Sequence, residues 1–271
     1  MASEEEILKQ IEEAISVMAL AHASHITAAI AAYYRAGSED SRQEQDKKYK
    51  KLSPLQEAAI NKLTAEHFGY MAEFDKAVGE AIKEKAREIL RNEGGYKDIK
   101  EAIKTYVADV FEGKEKITIN HVGKKRTILK VDKEGKLYEV EKTIEREYVT
   151  NADAYADMLS RTATHKAFEQ GRAGEFQRMK FEKWRFVGPS DERARPWHVA
   201  IIGNVYEYGT PQSDYALQLL GEPHCRHRAI AFFDDPDLDT PQEVYDRQKE
   251  KAGVKWDDDV GDWVIEDSTS S

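Results

Sequence analysis

The chain of 271 residues has a single cysteine, Cys225, and only seven prolines. One thiol leaves no partner for an intramolecular disulfide, so packing has to hold the fold, and a reducing compartment is the natural setting. Long apolar runs are also missing. The best candidate, from Ile15 to Ala32, is interrupted by Ser16, His22, Ser24, His25 and Thr27, which makes it too polar for a membrane span. Glu4, Glu5 and Glu6 stand where a secretory signal would carry Lys or Arg, so such a leader is not expected. These features predict a soluble intracellular protein with no membrane partner. Basic excess is lacking as well: 51 acidic residues against 41 basic ones give a net charge of −10. That balance argues against a general coat on nucleic acid, which needs clustered Lys and Arg. One local basic stretch remains, formed by Arg172, Arg178, Lys180, Lys183 and Arg185. The chain shows no internal repeat and no nucleophile beside a base. The glycines at Gly171 and Gly174 follow no strand, so they do not make a phosphate loop.

What is present is helical periodicity. Ile7, Leu8, Ile11, Ile15, Met18, Ala19 and His22 recur at helical spacing, with Ser3 and Glu6 as a capping pair, and predict a helix over 4–34. Ala28, Ala29, Ala31 and Ala32 would let another helix approach closely. Arg35 to Lys51 reads as a polar, mobile connection. Ser53 and Pro54 open a second helix. Its stripe is Leu55, Ala59, Leu63, Phe68, Met71, Phe74, Val78, Ile82, Ala86 and Ile89, with breaks expected at Gly69 or Gly79 and a stop at Gly94-Gly95. A third helix is expected from Lys97 to Phe111, ending at Gly113. The period then changes to two. Ile117, Ile119 and Val122, then Ile128, Leu129 and Val131, then Leu137, Tyr138 and Val140 alternate with polar residues around turns at Gly123-Lys124 and Glu134-Gly135. This predicts a three-stranded meander or a projecting hairpin, too thin in apolar bulk to stand without a partner inside or outside the chain. Helix returns from Asn151 to about Lys183, with Tyr155, Met158, Leu159, Thr162, Ala163, Ala167 and Phe168 on its buried side. After Phe233 comes an acidic segment with a short helix near Pro241 to Ala252, and with Trp256 and Trp263 among Asp257, Asp258, Asp259 and Asp262. It reads as a flexible docking tail. The predicted class is α+β: an N-terminal helical hairpin or small bundle over 1–113, the β-hairpin or meander over 114–150, a small mixed module over 151–233 and the tail over 234–271.

The chemistry-bearing residues gather between Trp184 and His227. His198, His224, Cys225 and His227 offer imidazole and thiolate, which are zinc ligands. The alternative is a polar cluster that pins two strands, and no cofactor is then required. Asp191, Arg193 and Arg195 could be an acid among cationic stabilisers. An ion-paired loop, with Arg193 or Arg226 folded back onto Asp191, is the better reading, because no nucleophile accompanies them. His198 with His224 or His227 could act as an acid/base pair in a nuclease, although the surrounding hairpin and helix such a site needs are absent. His22 and His25 share a helix face without further ligands. Arg161-Thr162 sits inside a helix, where either it bonds a neighbouring sheet or it is an ordinary surface position.

These elements occur in a telling order: Arg161-Thr162, Gly171-Arg172, Trp184, the run Asp191-x-Arg193-x-Arg195-Pro196-x-His198, Gly203 after a short apolar run, and Cys225-Arg226-His227. Over Tyr155 to about Phe233 this series resembles the Mu-F-like phage head-morphogenesis or minor capsid proteins. The resemblance implies a non-enzymatic minor component of a tailed-phage head, incorporated during procapsid assembly near the portal and assisting head morphogenesis or DNA ejection. The implied partners are the portal protein and other head proteins (capsid or scaffold), with contact to packaged DNA, and the implied location is the virion after assembly in the host cytoplasm. Some such proteins carry Cys-x-x-Cys in the first segment and Cys-x-Cys in the second. Here Arg195 stands at a ligand position and His227 replaces a cysteine, so a metal site would rest on His198, Cys225 and His227, and a four-ligand set is not evident unless His224 or a carboxylate fills in. Modules of this kind also occur joined to toxin domains. The competing readings are therefore a nuclease- or toxin-like enzyme using His198 and His227, and a DNA-contacting packaging factor.

Overall fold

A computed structural model of the chain describes residues 4–45, 51–91, 101, 105–106, 108–110, 112, 114–120, 122–235 and 239–265. The helices are α1 (Glu4–Glu44), α2 (Pro54–Arg91), α3 (Ala152–Arg178), α4 (Pro196–Ala200), α5 (Pro211–Leu220) and α6 (Gln242–Lys251). The strands are β1 (Lys116–Ile119), β2 (Lys125–Val131), β3 (Leu137–Thr143), β4 (Tyr148–Asn151), β5 (Lys183–Val187), β6 (Val205–Glu207), β7 (Arg228–Ala231), β8 (Val254–Asp257) and β9 (Asp262–Ile265). Long helices beside small antiparallel sheets make the class α+β, as the sequence predicts. The chain divides into two units, and α1, α2 and α3 each give a stretch to both.

The first unit comprises Met1–Ala29, Asn61–Arg126 and Thr143–Arg161. Its core is apolar: Phe74, Val78 and Ile82 of α2 pack with Val110, with Ile117 and Ile119 of β1, and with Ala152, Tyr155 and Leu159 of α3. α2 is unbroken at both glycines. At Gly79 the missing Cβ leaves room for the Ile15 side chain of α1, 2.7 Å from where that atom would lie. Leu55 and Phe68, counted in the predicted stripe, are exposed. β1 pairs with β4 in antiparallel register, Ile117 opposite Thr150, so the predicted meander gives way to a ladder closed by a more distant strand. Asn151 caps α3, its side-chain oxygen accepting from Asp153 N and Ala154 N. Ser3, the side chains of Ile7, Leu8, Ile11 and Met18, Gly94-Gly95, Gly113 and much of the predicted third helix lie outside the described residues.

The second unit comprises Ile30–Ile60, Thr127–Lys142 and Thr162–Ser271. Here the expected connection from Arg35 is instead helix through Glu44, with Ser38, Ser41 and Arg42 buried. Small residues explain the difference. A Cβ on Gly37 would overlap the Phe168 carbonyl, and one on Gly171 would overlap the Tyr34 carbonyl, so α1 and α3 cross backbone to backbone. Ser38 Oγ donates to Gly171 O at 3.1 Å and Ser41 Oγ to Arg172 O at 3.3 Å across this crossing. A segment that is polar by composition is thus an interior helix surface. At the start of α2, Ser53 Oγ accepts from Gln56 N while Ser53 N donates to Gln56 Oε1, a capping box with Pro54 at the first helical position.

The sheet of this unit runs β6-β5-β7, all antiparallel, with α5 beneath it. Lys183 opens β5 rather than ending the preceding helix, which stops at Arg178. The thin β2–β3 hairpin finds its partner within the chain. Val131 and Leu137 enter the core, and Gln212 bonds the Leu137 backbone through both its amide oxygen and nitrogen, each at 2.8 Å. The predicted flexible tail is corrected. Residues 239–265 form α6 and the β8–β9 hairpin, Tyr245 is buried in the core, and Trp263 Nε1 donates to Asp132 O at 3.1 Å. The acidic run that suggests a tail is a turn: Asp257 accepts from Asp259 N, Val260 N and Gly261 N, and Gly261 supplies the positive φ of 64°.

Candidate functional site

The central strand β5 is the platform of the site. Trp184 and Phe186 point into the core, and Trp184 Nε1 donates to Ser213 Oγ at 2.8 Å, giving the buried indole its one polar partner. Beyond β5 the chain passes through Gly188-Pro189 to a turn at Asp191, where Ala194 N donates to Asp191 O at 2.9 Å. No side chain is tolerated at Gly188, because a Cβ there would overlap the His227 ring. Asp191 orders the loop: its carboxylate accepts from Arg193 N at 3.1 Å and takes both arms of the Arg226 guanidinium, one at 2.7 Å. The Arg226 fork holds the Asp191 carboxyl down at about 2. The ion-paired loop is therefore what forms. Arg226 is the residue that folds back, while the Arg193 side chain stays exposed.

Pro196 starts the short α4 and delivers His198 to the interior at 0% exposure. His198 Nε2 faces Glu222 Oε2 at 2.8 Å, and its Nδ1 faces Cys225 Sγ at 3.6 Å. On the other side of the sulfur, His227 Nδ1 lies at 3.7 Å with the ring stacked on Phe186, centroids 5.1 Å apart. Three residues singled out in the sequence, His198, Cys225 and His227, are thus brought together, with their ligand atoms all within 4.8 Å. His224 is not part of the group; it is exposed and takes a left-handed φ of 60° at the turn. Burial pushes the Cys225 thiol up to about 11 and the His227 imidazole down to about 3. Arg195 bonds Pro223 O and lies 3.5 Å from Glu222. Gly203, with φ of 84°, lets the chain turn back onto β5, and its bare Cα leaves space for Tyr245.

Arg172 builds a second centre. It is fully buried and donates to Ala229 O at 3.3 Å on β7, and it pairs with Asp40 and with Glu44 (2.8 Å) of α1. Glu169, one turn earlier, accepts from Ala229 N at 2.8 Å, and burial raises its carboxyl to about 7. Glu175, one turn later, is buried between Arg42 and Gln56. One face of α3 therefore locks α1 to the sheet edge. Arg161 does not take part: it is exposed and pairs with Asp157 one turn away, and Thr162 is half-buried beside it. Arg185, predicted as part of a basic patch, is buried against Asp239 (2.9 Å) and stacked between Phe232 and Tyr245. Arg178 bonds Lys51 O and Gln56, and Lys183 pairs with Asp234. The predicted patch is thus largely spent on internal bonds.

Sequence reasoning missed Glu222, Glu169, Glu175, Ser213 and the Gly37/Ser38/Ser41 face. The last left a signal in small residues at positions 37, 38 and 41, which is helical spacing. A carboxylate such as Glu222 left none, since it looks like any other surface Glu.

The sequence pattern of the family described as Phage Mu protein F like protein matches residues 80–230, and the chain belongs to that family. The match starts well upstream of Tyr155, where the motifs begin, and takes in the end of α2 and the β2–β3 hairpin. No curated protein and no solved structure matches the chain. The family is one of phage head-morphogenesis proteins, and at that level this is what the chain is. Among the described residues no helix is long and apolar enough to cross a membrane.

Proposed function

We propose that the chain is a minor structural component of a tailed-phage head, built in during procapsid assembly near the portal and assisting head morphogenesis or genome delivery without catalysis of its own. The observation that carries this reading is the use made of the reactive side chains. His198 and His227 are 0% and 2% exposed, and their ring nitrogens face Cys225 and Glu222 rather than solvent. A substrate cannot reach an imidazole held this way, so the arrangement supports a pinned fold over a nuclease or toxin centre. The packaging-factor reading loses its footing on similar grounds. Arg172 and Arg185 are buried in ion pairs, and Lys124 and Arg126 of the basic hairpin both reach Glu73. The open depression of about 740 Å³ in the first unit is lined by Glu84, Glu88, Glu101, Asp109 and Glu115, which repel phosphate.

The portal is the contact to test. Chemical cross-linking of intact procapsids, read by mass spectrometry, is expected to join this chain to the portal protein. Cross-links confined to the major capsid or scaffold protein would move the contact away from the portal. Cross-links to no head protein would overturn the structural role.

A further inference from the structure

We propose that His198 Nδ1, Cys225 Sγ and His227 Nδ1 are three protein ligands of a zinc ion, with Glu222 as the carboxylate that orients His198. The geometry carries the argument. Zn–S near 2.3 Å and Zn–N near 2.0–2.1 Å, at the tetrahedral angle, put a sulfur and a nitrogen ligand about 3.6 Å apart. The two sulfur–nitrogen separations here are 3.6 and 3.7 Å. Both imidazoles are aimed at one sulfur from different segments, α4 and the stretch before β7.

The proton positions agree. A carboxylate only accepts, so in the neutral ring His198 keeps its proton on Nε2 toward Glu222 and turns the Nδ1 lone pair to Cys225. This is the carboxylate–histidine arrangement that fixes the tautomer of metal-bound imidazoles. A thiol has a single proton, so only one of the two facing nitrogens can accept from the sulfur. On binding, the Cys225 S–H bond breaks, its proton passes to solvent, and the sulfur's electron pair forms the bond to zinc. One thiolate and two imidazoles leave the ion with a single net positive charge, and Glu222 lies one ring away to balance it. The mix of one sulfur and two imidazole ligands suits zinc over calcium or magnesium, which take oxygen. Among the described residues no fourth His, Cys, Asp or Glu joins the group.

The test uses the full chain, stripped with a chelator, given one equivalent of zinc, and passed through gel filtration before metal analysis. About one zinc per chain is expected to stay bound. Cobalt(II) in place of zinc should give the near-ultraviolet absorption of a cobalt–thiolate bond, and Cys225→Ser should abolish it. Glu222→Gln keeps the three ligands and should weaken zinc about 10–100-fold in a chelator competition. This separates an orienting carboxylate from a merely structural one, and it remains readable if Cys225→Ser fails to fold. A wild-type chain that is folded by circular dichroism yet retains no zinc and gives no cobalt–thiolate absorption would overturn the proposal.

Discussion

The two units are held together by different means. In the first, the centre is a stack of apolar side chains, Phe74, Val78, Ile82, Ile117 and Tyr155, and pairs such as Lys83–Glu12 and Lys124–Glu73 decorate its surface. In the second, the apolar core around Trp184 is accompanied by buried Arg42, Glu169, Arg172, Glu175, Arg185, His198 and His227. Of the buried polar side chains described, only Thr64, His67 and Asp75 fall in the first unit. Apolar contacts tolerate adjustment, whereas a buried charge must keep its partners or its solvation cost is exposed. The second unit is therefore the one with a geometry to defend, and it is there that the ordered motif series falls.

That contrast can be broken by mutation. The largest effect is expected at Arg172, where Ala would leave the Ala229 carbonyl without its donor and leave Asp40 and Glu44 to Arg228 alone, 3.4 and 3.6 Å away. Because the carboxylates are more than a third exposed, the loss should sit near the low end for a buried pair, about 3 kcal/mol in urea unfolding. Gly171→Ala comes next: its methyl would collide with the Tyr34 carbonyl, and prying α3 from α1 should cost about 1–3 kcal/mol.

Glu169→Gln probes the same face through pH. The folded carboxyl is raised from 4.5 to about 7, so its contribution is full below about pH 4.5 and is lost as pH rises through 7. Gln keeps an acceptor for Ala229 N and does not titrate. The wild type should therefore lose stability relative to the variant across that window, as thermal melts at several pH values would show.

The first unit should behave oppositely. Gly69 has open space around its Cα within α2, so Gly69→Ala should stabilise by about 0.5–1 kcal/mol, the reverse in sign of Gly171→Ala. Smallest of all, Lys83→Ala should change unfolding by less than about 1 kcal/mol, since its partners Glu12 and Glu80 are mostly exposed. Equal costs for Lys83→Ala and Arg172→Ala would erase the distinction between the units.

The same contrast explains what could be read in the sequence. Helix α2 with its buried Leu63, Phe74, Val78 and Ile82, the strands around Ile117 and Leu137, and the turns at Gly123 and Gly135 follow from period and glycine, and they are present. The end of α1 was hidden, because Ser38, Ser41 and Arg42 look like solvent-facing residues until the helix they face is known. The packed C-terminal segment was hidden for a related reason: Asp257 to Asp259 make a turn, and a turn of aspartates has the composition of a tail. At the site, the ligand-type residues were legible by chemistry, as His198, Cys225 and His227. Their supporting Glu222 was not, because only the turn at Pro223-His224 brings it alongside His198.

The role as a head component is tested most directly by quantitative mass spectrometry of purified procapsids and mature particles from the phage or prophage encoding this chain. The account predicts peptides from it in the particles, at a copy number far below that of the major capsid protein. Absence from both particles, with the protein abundant in the lysate, would contradict it.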